Sequence, residues 1–263
     1  MIYIWLCFFG ILTSCRFTTD VNVAQEQKID VSTKDTFTIS LAYITGQFEP
    51  SKHPDFTEIP IQYADQKGRF IRKDVLEAFK KMYDKAASDG VHLIIKSATR
   101  NFDAQKKIWE DKWLGRRNLD NGINAKKDIK NEEKRALKIL EYSSMPGTSR
   151  HHWGTDIDLN AFNNAYFDKG EGLKMYVWLQ KHASDYGFCQ TYTTFDDNRT
   201  TGYQAEKWHW SYTPVSIPLT EWAKQHLKDS MITGFAGCKT ATKIGIVKNY
   251  ILGIHPNCQT VSP

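Results

Sequence analysis

Two short stretches hold most of the residues that could do chemistry together. The first is Ser149-Arg150-His151-His152-Trp153-Gly154-Thr155-Asp156-Ile157-Asp158, and the second is Glu206-Lys207-Trp208-His209-Trp210-Ser211-Tyr212. A catalytic zinc ion takes three protein ligands and keeps one position open. It acidifies the water held there, and a nearby carboxylate can take the proton. His151, Asp158 and His209 have the donor atoms for such an ion, and Glu206, three residues before the last histidine, can be the base. Each stretch alone has a plainer reading. A histidine beside tryptophan is commonly a packed side chain, and two aspartates at i, i+2 commonly make a turn or a calcium-type loop. The pair says more than either part, because each stretch supplies ligands that the other lacks. Two histidines and one carboxylate also suit non-haem iron(II), the weaker of the two metal readings.

The elements around these stretches must bring them to one place. Alternation over 154–159 predicts a strand with Asp156, Asp158 and Asn160 on one face and Thr155, Ile157 and Leu159 on the other. The apolar face is expected on the core and the acidic face on a cleft, which His151 reaches from the preceding loop. A second strand over 208–212 puts His209 and Ser211 on one face. Strict alternation would send Glu206 to the opposite side, so the chain must bend between Glu206 and His209. Apolar spacing predicts helices over 72–87, 103–113, 126–142, 172–186 and 220–228, and VHLIIK at 91–96 predicts another strand. Helices and strands mix without a regular βαβ beat. The expected class is α+β, with a small antiparallel sheet carrying the site and helices flanking it.

The same residues carry a resemblance. Ser149-x-His151-x-x-Gly154-x-Asp156-x-Asp158, followed by Glu206-x-Trp208-His209, resembles the signature S-x-H-x-x-G-x-A-x-D … E-x-W-H of VanY-type D-alanyl-D-alanine carboxypeptidases, which are LAS zinc metallopeptidases. Upstream, Ser97-Ala98-Thr99-Arg100 and Gln105 match a further S-x-x-R with a later Gln. The likeness runs from about Tyr43 to Tyr212. It implies an LAS/hedgehog-like peptidase fold with zinc on His151, Asp158 and His209. Glu206 would activate the zinc water and hand its proton to the leaving amine. Arg100 would stabilise the oxyanion or hold the substrate carboxylate, with Ser149, Gln105 and Ser97 on the substrate side. The plainer readings are an ion pair at a strand end for Arg100 and a solvent-facing helix residue for Gln105. His152 is not expected to be a ligand, because His151 fills the motif position. One departure stands out: the signature's Ala is Asp156 here. An added carboxylate could orient a ligand histidine, or narrow the cleft and change substrate choice.

The rest of the chain sets the context. Residues 1–14, MIYIWLCFFGILTS, carry no charge. They are too short for a comfortable membrane span, which needs roughly 20 residues, and fit the apolar region of a secretory signal. Leu12-Thr13-Ser14-Cys15 looks like a bacterial lipobox, which would make Cys15 a lipidation site. Residues 15–36 are polar and read as a tether. No linker divides residues 37–263, which are expected to form a single zinc peptidase domain. An exported, lipid-anchored bacterial protein on the periplasmic or extracellular side of the membrane follows, with peptidoglycan stem peptides as the partner. The net charge of +5, from 35 Lys+Arg against 30 Asp+Glu, is too mild to argue for nucleic acid, and no protein partner is predicted. The basic run from Lys106 to Lys138 reads as a solvated helical face, or else as a surface for anionic glycan or lipid headgroups. Cys189, Cys238 and Cys258 allow one bridge whose pairing is open, and the absence of C-x-x-C disfavours a cysteine zinc site. The apolar stretches Ile244-Gly245-Ile246-Val247 and Tyr250-Ile251-Leu252 are expected to pack back on the domain. The expected activity is removal of a C-terminal D-alanine. The alternatives are an endopeptidase or L,D-carboxypeptidase with the same site, and a non-catalytic wall-binding lipoprotein of this fold.

Overall fold

A computed structural model describes Met1, Lys28–Ile29 and residues 37–260. The expected signal, the lipidation site at Cys15 and most of the tether lie outside the described residues. In chain order the strands are β1 (Lys28–Ile29), β2 (Phe37–Thr38), β3 (Phe56–Glu58), β4 (Phe70–Arg72), β5 (Ile95–Ser97), β6 (Asp156–Leu159), β7 (Phe188–Gln190) and β8 (His209–Tyr212). The α-helices are α1 (Leu41–Ile44), α2 (Lys73–Ser88), α3 (Phe102–Trp113), α4 (Ala125–Asp128), α5 (Glu132–Ile139), α6 (Gly170–His182), α7 (Thr213–His226) and α8 (Thr240–Ile244). The strands β5-β6-β8-β7 form one antiparallel sheet, and β1–β2 and β3–β4 pair as separate two-stranded ribbons. The class is α+β, as the sequence predicts.

The sheet separates two apolar clusters. Ile95, Ile157, Leu159, Phe188 and Trp210 point to one side and pack with Val75, Phe79 and Met82 of α2 and Met175 and Leu179 of α6. A second cluster joins α3, α5, α7 and the C-terminal segment through Trp109, Trp113, Ile139, Leu219, Ile246, Ile251 and Ile254. The apolar tail therefore packs back, as expected. A disulfide joins Cys189 on β7 to Cys258 in that tail, and Cys238 is free.

Several elements differ from the sequence expectation for local reasons. The helix expected over 126–142 is two helices. Asn131 breaks the run by capping α5, its side chain accepting from the Lys134 amide, and Arg135 turns back to donate to the Ile129 carbonyl. The strand expected over 91–96 is shorter and later, at Ile95–Ser97, with a register irregularity there. The C-terminal helix begins at Thr213 rather than Thr220, with Pro214 in its first turn, where a missing N–H costs no helical bond. The β3–β4 ribbon and β7 leave no pattern in the sequence. Their three-residue strands are too short to show a period.

Candidate active site

Strand register brings the two chemical stretches together. In the β6–β8 pair, Asp158 stands opposite His209 and Asp156 opposite Ser211. On the other flank, Ser97 of β5 pairs with Asp158. His151 lies in a 3₁₀ turn over Arg150–Trp153, which ends at Gly154 with φ 71° before the chain enters β6. A Cβ on Gly154 would lie 2.4 Å from the Phe56 ring, so this turn needs glycine for both conformation and space. The expected bend before His209 is present, with the His209 amide donating to the Glu206 carbonyl at 3.2 Å. Asn160 does not join the acidic face. Its φ is 59°, and its side chain bonds the backbone at Ile94 and His92.

His151, Asp158 and His209 are buried, and their ligand atoms all lie within 4.8 Å of one another. His151 Nε2 is 3.2 Å from Asp158 Oδ2, and His209 Nδ1 is 3.1 Å from Asp158 Oδ1. Ligands about 2.1 Å from a tetrahedral zinc stand roughly 3.4 Å apart, so this donor set fits that ion. Hydrogen bonds also aim both rings. His151 Nδ1 meets the Ala98 carbonyl at 2.8 Å, which can only accept, so Nε2 keeps its lone pair for the cluster. His209 Nε2 donates to Asp156 Oδ1 at 2.9 Å and presents Nδ1 to Asp158 and to Glu206, whose Oε2 is 3.6 Å away.

Asp156 is fully buried behind His209 and does not line the cleft. The idea that it narrows the cleft is therefore corrected; it sits where it can orient a ligand. Arg150 Nε at 3.1 Å, Thr155 Oγ1 at 2.5 Å and Ser211 Oγ at 3.0 Å also bond its carboxylate. Burial would raise its pKa, but Arg150 and His209 hold it well below the usual carboxylate range. Arg150 is itself buried, bonded to Thr220 and Ser211 and stacked on Trp153. Nothing in its sequence position singles it out.

Glu206 is buried beside His209, and burial pushes its carboxyl up to about 8 in the metal-free chain. Burial works against charge on His209 as well, but Asp156 and Asp158 outweigh it and raise that imidazole to about 9. Arg100 donates through Nη1 to Ser97 and through Nε to Gln105 at 3.0 Å, and lies 3.8 Å from Asp158. Gln105 is not solvent-facing: it is buried and passes the network on to the Ser144 carbonyl. The Ser149 hydroxyl is buried and lines the cleft with no hydrogen-bond partner among the described residues. His152 stands apart from the cluster. It bonds the Arg100 carbonyl and the Gly147 amide, and burial holds it neutral, with a pKa of about 3. Ser97, Arg100, Gln105, Ser149, Arg150, His151, Asp158, Glu206 and His209 line one cleft of about 800 Å³, together with Lys112, Tyr142, Tyr192 and Trp208.

The VanY: D-alanyl-D-alanine carboxypeptidase family matches residues 68–215, a span that holds all of these cleft residues. The chain belongs to the VanY family. "Putative carboxypeptidase YodJ" of Bacillus subtilis (strain 168) is 31% identical over 174 residues, covering 64% of this VanY-family chain and 56% of the relative. The "D-alanyl-D-alanine carboxypeptidase" of Enterococcus faecalis (strain ATCC 700802 / V583) is 28% identical over 134 residues, 51% of this chain and 45% of the relative. The chain thus spans about half the length of these curated relatives. Among solved structures, the LdcB LD-carboxypeptidase is 25% identical with a TM-score of 0.49, covering 69% of this chain and 77% of that one. A VanY D,D-pentapeptidase complexed with Zn(II) is 26% identical with a TM-score of 0.45, covering 65% and 90%.

Proposed function

We propose that this VanY-family chain is a zinc peptidase that acts on peptidoglycan stem peptides and removes a C-terminal D-alanine. The observation that carries this reading is the buried His151–Asp158–His209 cluster with Glu206 beside it. Zinc, when bound, polarises a carbonyl and lowers the pKa of water. The remaining work falls to the chain. Glu206, beside the cluster and outside the ligand set, can accept a proton and deliver it to the leaving amine. Arg100, braced by Ser97 and Gln105, offers its remaining guanidinium N–H groups to an anionic oxygen of the substrate. The unpartnered Ser149 hydroxyl is a further contact for substrate. Arg150 and Asp156 keep His209 in place from behind.

Export and lipid anchoring at Cys15 form part of the same proposal. They rest on the uncharged segment at 1–14 and the polar stretch after it. Labelling with a radioactive fatty acid would mark the parent and spare Cys15→Ala.

The activity is tested by mass spectrometry of defined muropeptides after incubation with the zinc-loaded protein. Loss of one terminal alanine from a pentapeptide is the expected result. Loss of D-alanine from a tetrapeptide alone would replace this reading with L,D-carboxypeptidase action, and separation of cross-linked peptides with endopeptidase action. Glu206→Gln should lower the rate by about 10²–10⁴-fold. An unchanged rate would remove Glu206 from the mechanism, and no cleavage by the folded, zinc-loaded parent would leave the non-catalytic wall-binding reading.

A further inference from the structure

The basic run from Lys106 to Lys138 is not uniformly solvated. Lys112, near the end of α3, is half-buried and turns into the catalytic cleft. Its ammonium donates to Ser143 Oγ at 2.5 Å, and no carboxylate lies within salt-bridge distance among the described residues. An ammonium has three donors, so one hydroxyl leaves most of its capacity unused. Burial pushes its pKa below the usual lysine range, with Arg117 adding repulsion and Asp120, Glu206 and Arg100 within its field. The other lysines of the cleft are already paired. Lys96 meets Asp65 at 2.9 Å, and Lys138 meets Glu141 at 2.7 Å.

Lys112 is also separate from the Arg100 group. It follows Gln105 by seven residues, two helical turns, or about 10 Å along α3. Arg117 and Asp120, which share the cleft wall with it, are exposed. A desolvated cation without a counter-charge is costly unless an anion completes it, and this one faces the space a substrate must fill. Arg100, Gln105 and Ser149 already make one anionic seat beside the metal cluster.

We infer that Lys112 is a second anion seat, which selects peptides carrying a free carboxylate upstream of the scissile bond in addition to their C-terminal carboxylate. The inference rests on reading the cleft as a peptidoglycan peptide site. It names the substrate feature that separates one stem peptide from another: an upstream side group ending in carboxylate rather than in amide or ammonium.

The test uses three synthetic peptides that share a D-Ala-D-Ala end and differ only in whether that upstream group is a carboxylate, an amide or an ammonium. Binding is measured by calorimetry to the zinc-loaded full chain carrying Glu206→Ala, so that no turnover is needed. The carboxylate peptide should bind about tenfold to a hundredfold more tightly than the other two. Adding Lys112→Met should reduce its affinity to that of the amide peptide, whereas Lys112→Arg should keep the preference. Equal binding of all three peptides, or an equal loss on all three with Lys112→Met, would overturn the inference. Cleavage of the amide peptide by the parent is scored separately. That cleavage is expected to be slow; absence of cleavage of the carboxylate peptide counts against the proposed peptidase activity, while the binding comparison still decides the role of Lys112.

Discussion

His209 has a use for each ring nitrogen: Nε2–H is held by Asp156, and Nδ1 faces the cluster. Replacing Asp156 by Asn keeps an acceptor but removes the charge and leaves Arg150 without its counter-charge. Zinc affinity, read by competition with a chromophoric chelator, should fall by about 10–100-fold. An unchanged affinity would make Asp156 a structural residue only. The same histidine sets a pH dependence. In the metal-free chain it stays protonated up to about 9, and a metal must displace that proton. Zinc affinity should therefore rise with pH through the neutral range, by up to about tenfold per unit, and level off above about 9. A flat profile between pH 6.5 and 9 would show that His209 is already neutral. Much at this scale was legible in the sequence, because histidine and carboxylate types at motif spacing are visible in one dimension. Lys112 was not, since its place in a charged run says nothing about which way it points. Nor was Arg150, whose partners Asp156, Ser211 and Thr220 meet it only through the fold.

At the scale of elements, the site depends on how β6 is entered and how β8 is paired. Gly154 links the turn carrying His151 to the strand carrying Asp158, at positive φ and against Phe56. Gly154→Ala must either strain the backbone or displace the ring. It should cost about 2 kcal/mol or more of stability, seen as a lower midpoint in urea, and should loosen metal binding in parallel. Loss of stability with intact zinc affinity would mean that the turn is not coupled to the cluster. The alternation of β6 and β8 was legible because one face is apolar and the other polar. The division of the helix expected over 126–142 was not, because the apolar spacing runs on while the stop comes from side-chain bonds made by Asn131 and Arg135. The small ribbons were equally hidden, since three residues carry almost no periodic signal.

For the whole molecule, two raised pKa values set how the metal-free protein responds to pH. Glu206 rises from 4.5 to about 8, and His209 from 6.5 to about 9. A group whose folded pKa is raised contributes stability fully present below its unfolded pKa and lost as pH climbs through the folded one. Buried His152, neutral down to about 3, works the other way below about pH 6.5, so the metal-free chain should melt at progressively lower temperature from about pH 7 to 9. The increment from added zinc should grow over the same range, as thermal scans with and without a chelator would show. A melting temperature that rises with pH would contradict both shifts. The disulfide acts at this scale too. It closes a sequence separation of 69 residues and fastens the C-terminal segment to an edge strand of the catalytic sheet. Cys258→Ser should cost about 2–4 kcal/mol, measured against the oxidised parent in urea. The bond also imposes a timetable. Cys189 cannot find Cys258 until the chain between them has been synthesised, a separation of 69 residues, and the two thiols stay apart wherever the surroundings are reducing. Oxidation therefore marks a chain that has folded its later segment onto the sheet under oxidising conditions, and the two-hydrogen mass difference between the forms reports how much of a preparation has done so.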